Sequence, residues 1–458
     1  MADYDLVIVG AGSGNTIPDE TLAGWRIAII EEDLFGGTCL NRGCIPSKML
    51  VHTAEVAEAV RHAGRFGLDA NLGGVDWPAI KDRVFARIDP LPPSAVTYRR
   101  DHGIDVYQAR ARFVAPKVLD VGGEVVRAER FVVAAGSRPV IPPLPGLESV
   151  DYHTSDTVMR IERLPASMVI VGGGYIAAEM SHIFGGLGVT VTIIGRGPAL
   201  LEALDDDVSA RFTERYRDRF DLRLGTTVER VTAATNGVVV DTDTDGRSDR
   251  VAAEVMLVAV GRTPNSDRID AAAGGLSLDE HGHLVTDDSY ATNVPGIWAL
   301  GDITNHSQLK HMANAEARLV RFNLTHPDRP KRTPFDLVPA AVFADPQVAT
   351  VGATERQLRT DGRAYLVARS DYSAAAYGWA LEDTTSFVKI LADPATRLLL
   401  GAHIVGPQAS TLIQPLLQAM CLGNTVDEVA TGVLYIHPAL SEVVEQALLA
   451  LGSDSASN

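Results

Sequence analysis

The sequence predicts an α/β protein built from two Rossmann-like dinucleotide-binding domains and a C-terminal α+β domain. Two short apolar segments, residues 5–9 and 168–171, each lead into a glycine-rich turn. A continuous apolar run of this length is typical of a buried parallel strand, and the glycines let a phosphate approach the backbone. The chain has 458 residues, which is too long for one hydrophobic core and predicts about three domains.

Composition excludes several classes of protein. The formal net charge of −17 argues against a surface that binds nucleic acid or an anionic membrane. Three cysteines in a chain of this length exclude a disulfide-stabilised secreted fold. The first residues do not form a basic, apolar leader, and no apolar run is long enough to span a membrane. We therefore expect a cytoplasmic protein.

The first apolar strand leads into Gly-Ala-Gly-Ser-Gly-Asn at residues 10–15. Gly10 and Gly12 occupy the first two positions of the dinucleotide fingerprint, but Asn15 stands where the third glycine normally lets the helix pack closely. Pro18, which a helix tolerates only near its first turn, also predicts that the opening helix lies differently here. The second strand, residues 25–30, ends at Glu31, whose carboxylate suits a ribose hydroxyl. A bare glycine turn is the alternative interpretation.

Residues 36–49 contain two of the three cysteines, Cys39 and Cys44, followed by Lys48. Positions five apart in a continuous helix point in different directions, so a disulfide between these cysteines requires a distorted turn. A strained disulfide that closes a small loop is easily reduced, which favours redox chemistry. The alternative is a pair of free, buried cysteines that act as small hydrophobes. We expect the third cysteine, Cys421, to be a core residue.

The stretch between the two glycine turns has an ordinary alternation of helix and strand. A helical pattern covers residues 50–65, and a proline-rich break lies at 89–93. Strands are expected at 105–120 and at 124–134, the latter ending at a turn that contains Gly136.

The second glycine turn, Gly172-Gly173-Gly174, belongs to a complete fingerprint with Ala177 in its third position. A helix is expected next, followed by a strand at 189–194 that ends with Gly195-Arg196 rather than with an acid. Without a carboxylate nothing there repels a 2′-phosphate, and an arginine can bind one, so we predict NADPH rather than NADH. A solvated surface charge is the alternative interpretation of Arg196. Two dinucleotide sites in one chain usually indicate two cofactors, one of which reduces the other.

The remaining part of the chain forms a separate unit. Strands are expected at 338–343, 387–391 and 399–405, with a helix at 410–420. No spacing of histidine and cysteine typical of a metal site occurs anywhere in the chain.

The segment Gly-Gly-Thr-Cys-Leu-Asn-Arg-Gly-Cys-Ile-Pro-Ser-Lys, residues 36–48, resembles the active-site signature of the two-cysteine flavoprotein disulfide reductases. This family includes glutathione reductase, dihydrolipoyl dehydrogenase, mercuric reductase and the mycothione reductases. Residues 260–265, 296–302 and 437–442 resemble other motifs of the same family, so the resemblance covers nearly the whole chain.

Within the family, the mycothione reductases are the most similar group. The stretches that carry this similarity are residues 10–15, 151–160, 376–380 and 435–440. One departure concerns the coenzyme, because Glu202 stands where relatives that use NADPH often have a second arginine. The resemblance thus implies mycothiol disulfide as substrate; dihydrolipoyl dehydrogenase and a glutathione reductase-like enzyme are the alternatives. A nucleotide-binding scaffold without enzymatic activity is a further alternative from another class.

The resemblance implies a catalytic cycle with tightly bound FAD, NADPH and a redox disulfide between Cys39 and Cys44. Cys44 is expected to face the flavin, and Cys39 to attack the substrate disulfide. His437 is expected to act as the acid–base group, since histidine titrates near neutrality, and Glu442 to orient its imidazole. Lys48 is expected near the flavin ring, where positive charge stabilises the reduced form. The same resemblance implies an obligate homodimer in which each subunit lends His437 to the other subunit's cysteines.

The expected binding residues and domains follow from the same comparison of motifs. We expect the FAD contacts to be Gly10, Gly12, Ser13, Gly14, Glu31, Gly37, Thr38, Lys48, Gly136, Asp302, Met312 and Ala313. We expect the NADPH contacts to be Gly172, Gly174, Tyr175, Ile176, Glu179, Arg196 and Gly261, with Glu179 also paired to Lys48. The expected domains are 1–150 (FAD-binding, first part, with the redox disulfide), 151–265 (NAD(P)-binding), 266–335 (FAD-binding, second part) and 336–458 (dimerisation).

Overall fold

The computed structural model describes residues 3–305, 307–333 and 336–452. The strands are β1 (Tyr4–Val9), β2 (Ile27–Glu31), β3 (Asp105–Gln108), β4 (Ala111–Ala115), β5 (Val118–Val121), β6 (Glu124–Val133), β7 (Ser137–Pro139), β8 (Ser167–Val171), β9 (Thr190–Ile194), β10 (Asp221–Arg223), β11 (Thr227–Ala234), β12 (Gly237–Thr244), β13 (Arg247–Ala253), β14 (Val255–Val258), β15 (Arg262–Pro264), β16 (Ile297–Ala299), β17 (Ala340–Val342), β18 (Val348–Gly352), β19 (Leu366–Asp371), β20 (Phe387–Ala392) and β21 (Leu399–Val405). The α-helices are α1 (Gly37–Arg42), α2 (Cys44–Arg61), α3 (Trp77–Ile88), α4 (Leu91–Asp101), α5 (Tyr175–Gly186), α6 (Asp206–Arg217), α7 (Lys310–Thr325), α8 (Glu355–Thr360), α9 (Ala376–Ala380), α10 (Ala409–Leu422), α11 (Val426–Thr431) and α12 (Ser441–Leu449).

The N-terminal sheet has the strand order β3-β2-β1-β6-β5-β4, with β16 also paired to β6. Strand β6 is long enough for two partnerships: its first half pairs antiparallel with β5, and its second half pairs parallel with β1 and β16. Strands β1, β2, β6 and β16 therefore run parallel, and their carboxyl ends meet at one edge of the sheet. In open α/β sheets ligands bind at this edge, and here it carries the glycine turn and Glu31.

The connection between β1 and β2 contains no α-helix. It holds only two single-turn 3₁₀ segments, Gly14–Thr16 and Glu20–Leu22. We predicted a displaced helix, and the structure shows instead that the helix is missing. The reason lies in two neighbouring residues: Pro18 lacks the N–H that a continuing helix would use, and the Asp19 side chain accepts from Thr21 N, which starts a new turn.

The second unit follows the predicted plan. Its sheet has the parallel order β10-β9-β8-β14, beside an antiparallel sheet of β11, β12 and β13. Helix α5 starts directly after Gly174. Gly172 has a φ of +139°, and a Cβ there would lie 2.2 Å from the carbonyl oxygen of Ala259, so only glycine fits this turn.

The helix that carries Cys44, α2, packs against α5, where a Cβ on Gly186 would lie 2.8 Å from the Cβ of Ala54. The cysteine helix thus lies between the two nucleotide-binding units.

The C-terminal unit is a five-stranded antiparallel sheet in the order β17-β18-β21-β20-β19, with α10 and α12 packed on it. The expected strands at 387–391 and 399–405 and the helix at 410–420 are confirmed. Cys421 is exposed, so its assignment to the core was wrong. Helix α10 buries Leu412, Leu416 and Ala419, and at 3.6 residues per turn Cys421 points away from that face.

Together these sheets confirm the predicted α/β class with two Rossmann-like units and an α+β C-terminal unit. Within the part of the chain that the structure describes, no helix has the length and apolar character needed to cross a membrane. The expected domain boundaries at 150, 265 and 335 stay predictions.

Candidate active site

The two cysteines lie on either side of a break between two helices. Helix α1 ends at Arg42, α2 begins at Cys44, and Gly43 between them has φ −134° and ψ −122°. A Cβ on Gly43 would lie 3.0 Å from the carbonyl oxygen of Thr38. The distorted turn that we predicted is therefore present, and a glycine makes it possible. Both cysteines are free thiols; Cys39 is half-buried and Cys44 is exposed, so neither is the buried hydrophobe of the alternative interpretation.

The interaction between the two thiols separates their pKa values. The hydrogen bond from Cys44 and the positive charge of Lys310 lower the pKa of Cys39. The same hydrogen bond, together with desolvation, raises the pKa of Cys44. Of the two thiols, Cys39 is therefore the one that ionises more readily. A thiolate is the nucleophilic form of cysteine, so this arrangement is prepared to attack a disulfide.

Glu179 of α5 lies beside the cysteine helix. It accepts a hydrogen bond from the backbone N–H of Phe343 at 3.1 Å, and burial raises its pKa to about 7 although the charge of Lys48 acts in the opposite direction. The direct pair between Lys48 and Glu179 that we expected is not formed. Instead the Lys48 ammonium lies 4.3 Å from the ring centre of Phe343 and 3.9 Å from Glu55 Oε1. The backbone of Phe343 takes the place at Glu179 that the ammonium would have occupied.

The raised pKa of Glu179 predicts a pH dependence of stability that Glu179→Gln removes. Because the carboxyl binds its proton more tightly in the folded state, its contribution is present below the ordinary glutamate pKa of about 4.5 and is lost as pH rises to about 7. The loss amounts to about 3 kcal/mol. Denaturant unfolding at pH 5 and pH 8 should show a smaller difference for Glu179→Gln than for the wild type. Glu162→Gln, at an exposed position, should behave as wild type; equal pH dependence of all three proteins would contradict this prediction.

The first glycine turn touches the start of the cysteine segment. Gly10 has a φ of +100°, and a Cβ there would lie 2.2 Å from the carbonyl oxygen of Ala134. A Cβ on Gly37 would lie 2.7 Å from the Cα of Gly12. Glycines thus allow the turn to lie against both β6 and the N-terminus of α1. Glu31 closes the turn from the other side, since its Oε2 accepts from Ala11 N at 2.8 Å, and burial raises the pKa of this carboxyl.

The segment 296–302 brings a second carboxylate to the same edge of the sheet. Asp302 Oδ2 accepts from Ser137 Oγ at 2.7 Å, and Ser137 Oγ accepts from Arg262 Nε at 2.8 Å. This network joins the end of β16 to the turn at Gly136. Gly136 has a φ of +66°, and a Cβ built on it would meet no atom within 4 Å. Of the other expected residues nearby, Thr38 is exposed, Met312 half-buried and Ala313 buried in the first turn of α7.

The second glycine turn also faces open space. A Cβ on Gly174 or on Gly261 would meet no atom within 4 Å, and Tyr175 and Ile176 are the first two residues of α5. Arg196 is exposed, and it forms neither an ion pair nor a hydrogen bond to any residue in the described ranges. The carboxylate of Glu202 lies against the backbone of Gly197, the residue that follows Arg196: a Cβ on Gly197 would be 2.1–2.3 Å from its carboxyl atoms.

His437 and Glu442 are brought together near the C-terminus. His437 Nδ1 and Glu442 Oε1 are 2.8 Å apart, and Glu442 Oε2 accepts from Ala439 N at 3.1 Å. The hydrogen bond from His437 is the main cause of the lowered pKa of Glu442. The imidazole is 72% exposed, whereas the Glu442 side chain is 18% exposed. Helix α12 begins only at Ser441, so His437 does not cap it, and its catalytic role stays a prediction.

Comparison with known proteins places these features in a family. The family model for pyridine nucleotide-disulphide oxidoreductases matches residues 4–317, and the model for the dimerisation domain of that family matches residues 338–448. The chain belongs to the pyridine nucleotide-disulphide oxidoreductases.

Individual relatives support the assignment over the whole length. The chain is 48% identical to a mycothione reductase of Mycobacterium tuberculosis, covering 98% of this chain and 100% of that protein. It is 34% identical to a dihydrolipoyl dehydrogenase of Halobacterium salinarum, covering 97% of this chain and 95% of that protein. Among solved structures, an HOCl-induced flavoprotein disulfide reductase of Escherichia coli matches with a TM-score of 0.86 and 28% identity, covering 97% of this chain and 99% of that chain.

This oxidoreductase therefore catalyses NAD(P)H-dependent disulfide reduction, and its family implies FAD and NAD(P)H as cofactors. The matched dimerisation domain indicates a homodimer. The residues at the first edge fit FAD: Gly136 leaves open space beside the glycine turn, Glu31 suits a ribose, and Asp302 offers a carboxylate to the sugar-alcohol chain. The open space at Gly174 and Gly261 fits the pyridine nucleotide in the same way.

Sequence reasoning missed two groups at the first edge. Lys310, the first residue of α7, donates to Ser13 Oγ at 2.8 Å. Arg262 donates to Ser137, which in turn contacts Asp302. Lys310 was not recognised, because a single basic residue at the start of a helix has no spacing that distinguishes it from a surface charge. Arg262 lies in the motif at 260–265, but its contact with Ser137 was not expected.

Proposed function

We propose that this oxidoreductase is an NADPH-dependent reductase of mycothiol disulfide that acts as a homodimer in the cytoplasm. The observation that carries the proposed chemistry is the pair of free thiols, Cys39 and Cys44, on either side of the helix break at Gly43 and beside the first glycine turn. The substrate is supported by the 48% identity to a mycothione reductase over the full length of that protein.

The proposed reaction exchanges one disulfide for another. The Cys39 thiolate attacks one sulfur of the substrate disulfide, forms a mixed disulfide and releases the first thiolate, which takes a proton. Cys44 then gives up its proton and attacks Cys39, so that the second product leaves and the Cys39–Cys44 disulfide forms. The protein dithiol loses two electrons and the substrate gains them. When bound, FAD supplies the two-electron link between NADPH and this disulfide.

His437 is the proposed proton donor for the departing thiolates. Its imidazole is largely exposed on the dimerisation domain and is held through Nδ1 by Glu442, so Nε2 is the atom that is free to face a substrate. In the proposed dimer, His437 of one subunit serves Cys39 and Cys44 of the other, and a monomer has no complete site. Glu442 acts as the positioning residue of this pair.

The three proposed domain boundaries accompany this assignment. They place both cysteines in the first part of the FAD-binding domain (1–150) and His437 in the dimerisation domain (336–458). The coenzyme is bound by the domain between them (151–265), and residues 266–335 complete the FAD-binding domain.

Coenzyme preference is proposed to depend on Arg196 and Glu202. The carboxylate of Glu202 lies against Gly197, where it repels a 2′-phosphate bound by Arg196. Glu202→Arg is expected to raise kcat/KM for NADPH about tenfold to a hundredfold, the size of a charge-assisted hydrogen bond, and to leave that for NADH within about twofold. Glu280→Arg, which makes the same charge change at a side chain that is 87% exposed, should alter neither value. An unchanged NADPH-to-NADH ratio in Glu202→Arg would contradict this prediction.

The experiment that tests the proposed substrate measures NADPH oxidation with mycothiol disulfide, glutathione disulfide and lipoamide at equal concentrations. The proposal expects kcat/KM to be highest for mycothiol disulfide by at least about tenfold, since differential binding of the rest of the substrate is what distinguishes disulfides. A preference for glutathione disulfide or lipoamide would overturn the substrate assignment and leave the disulfide chemistry intact.

A further inference from the structure

The first nucleotide site lacks the helix that normally binds a phosphate in this fold. In a Rossmann unit the glycine turn leads into a helix whose N-terminal N–H groups and dipole bind the diphosphate. The second unit has such a helix, the twelve residues of α5. The first unit has only the single turn Gly14–Thr16, in which Thr16 N and Ile17 N already donate to the carbonyls of Ser13 and Gly14.

The loop that replaces this helix is held by Arg99 of α4. Arg99 Nε donates to Asn15 Oδ1 at 2.8 Å, another of its nitrogens donates to the carbonyl oxygen of Asn15, and Nη1 donates to the carbonyl oxygen of Pro18 at 3.3 Å. This explains why Asn15 stands in place of a glycine. The guanidinium of Arg99 donates to neutral oxygen atoms of the loop. These hydrogen bonds therefore fix the conformation of the loop and do not bind an anion.

A second cation reaches the centre of the turn from the other side. Lys310 donates from Nζ to Ser13 Oγ at 2.8 Å, and Ser13 Oγ donates to Asn314 Oδ1 at 3.2 Å. Lys310 and Asn314 are one turn apart on α7, so one face of this helix rests on the glycine turn. Within the described ranges Lys310 forms no ion pair with a carboxylate. An ammonium has three donors, and Ser13 takes one of them.

Burial is the main influence on the charge of Lys310. It lowers the pKa of this lysine, and the nearby Cys39–Cys44 pair and Asp302 only partly oppose it. A half-buried cation without a carboxylate partner is costly unless an anion completes its coordination. The position beside Ser13 is where the glycine turn would present a diphosphate.

We propose that Lys310 replaces the missing helix N-terminus, and that its ammonium binds the diphosphate of the dinucleotide held by the first glycine turn. Without Lys310, the first glycine turn would offer no positive charge to the diphosphate. The inference requires only that the first site binds FAD, and it does not depend on which disulfide the enzyme reduces.

The test measures the release of FAD from the purified holoenzyme as a function of salt, by the fluorescence of the freed flavin. Lys310→Gln is expected to release FAD about tenfold to a hundredfold faster at low salt, because a charge-assisted hydrogen bond is lost. Its release should also depend less on salt concentration than that of the wild type, because one screened charge pair is absent. Lys310→Arg, which keeps the charge, should stay within a few-fold of the wild type. Lys331→Gln, which removes an exposed lysine, should match the wild type.

Reloading the emptied full-length proteins separates a diphosphate contact from a general defect. The proposal expects Lys310→Gln to bind riboflavin, which has no phosphate, as well as the wild type does, while its affinity for FAD and for ADP falls. Equal release rates for Lys310→Gln and the wild type would overturn the proposal. So would an equal loss of riboflavin and FAD, or a change confined to the pH profile of Cys39 alkylation, since each assigns Lys310 to another role.

Discussion

Cys39→Ser is expected to abolish the reduction of any disulfide substrate. A serine hydroxyl is not ionised near neutral pH, so the nucleophile of the exchange is lost, and loss of a nucleophile lowers kcat by at least about a thousandfold. The variant should keep its yellow colour and still be reduced by NADPH, because Cys39 is proposed to act only on the substrate side. NADPH oxidation with mycothiol disulfide, together with the absorbance spectrum, measures both properties.

Two comparison variants make this result specific. Cys421→Ser changes an exposed cysteine at the end of α10 and should leave turnover unchanged. Cys44→Ser should allow the first attack but not the second, so one equivalent of thiol is released and the substrate stays attached to Cys39. More than a few per cent of wild-type turnover in Cys39→Ser would show that another residue is the nucleophile.

His437→Ala is the second substitution with a large expected effect. Loss of the proposed proton donor should lower kcat by about 10²–10⁴-fold, the usual contribution of a general acid. Glu442→Gln should lower kcat less, because the hydrogen bond to Nδ1 survives while its charge is lost.

Mixed dimers test whether His437 acts across the interface. Neither Cys39→Ser nor His437→Ala is active alone, but a dimer with one subunit of each has one intact site if the histidine comes from the partner. Random mixing should restore roughly a quarter of wild-type activity, because half of the dimers are mixed and each has one of two sites. Mixed dimers that are demonstrably formed and yet inactive would show that both groups come from one subunit.

Much of this fold could be predicted because its signals are local. The apolar strands before Gly10 and Gly172 and the helix break at Gly43 depend on residues adjacent in the chain. The absence of the first helix was anticipated only as an altered helix. Asn15 and Pro18 indicate a disturbance, but Arg99, which holds the loop from 84 positions away, is invisible to periodicity.

The kinds of residue in the site could be predicted from the sequence, but their contact partners could not. Lys48 was expected to pair with Glu179, yet it extends over Phe343 of the C-terminal unit, a contact that no nearby pattern in the sequence indicates. Lys310 lies 297 positions from Ser13 and was missed for the same reason. Cys421 was assigned to the core by residue type alone, whereas the face of α10 decides its exposure.

Electrons from NADPH are proposed to reach the substrate through Cys39 and Cys44. The most direct measurement adds one equivalent of NADPH to the air-oxidised enzyme without oxygen, traps thiols with iodoacetamide and maps the label by mass spectrometry. We expect label on Cys39 and Cys44 only after NADPH is added, with Cys39 reacting first, and the same label on Cys421 before and after. Label on Cys39 and Cys44 before NADPH, or none on them after it, would contradict the claim.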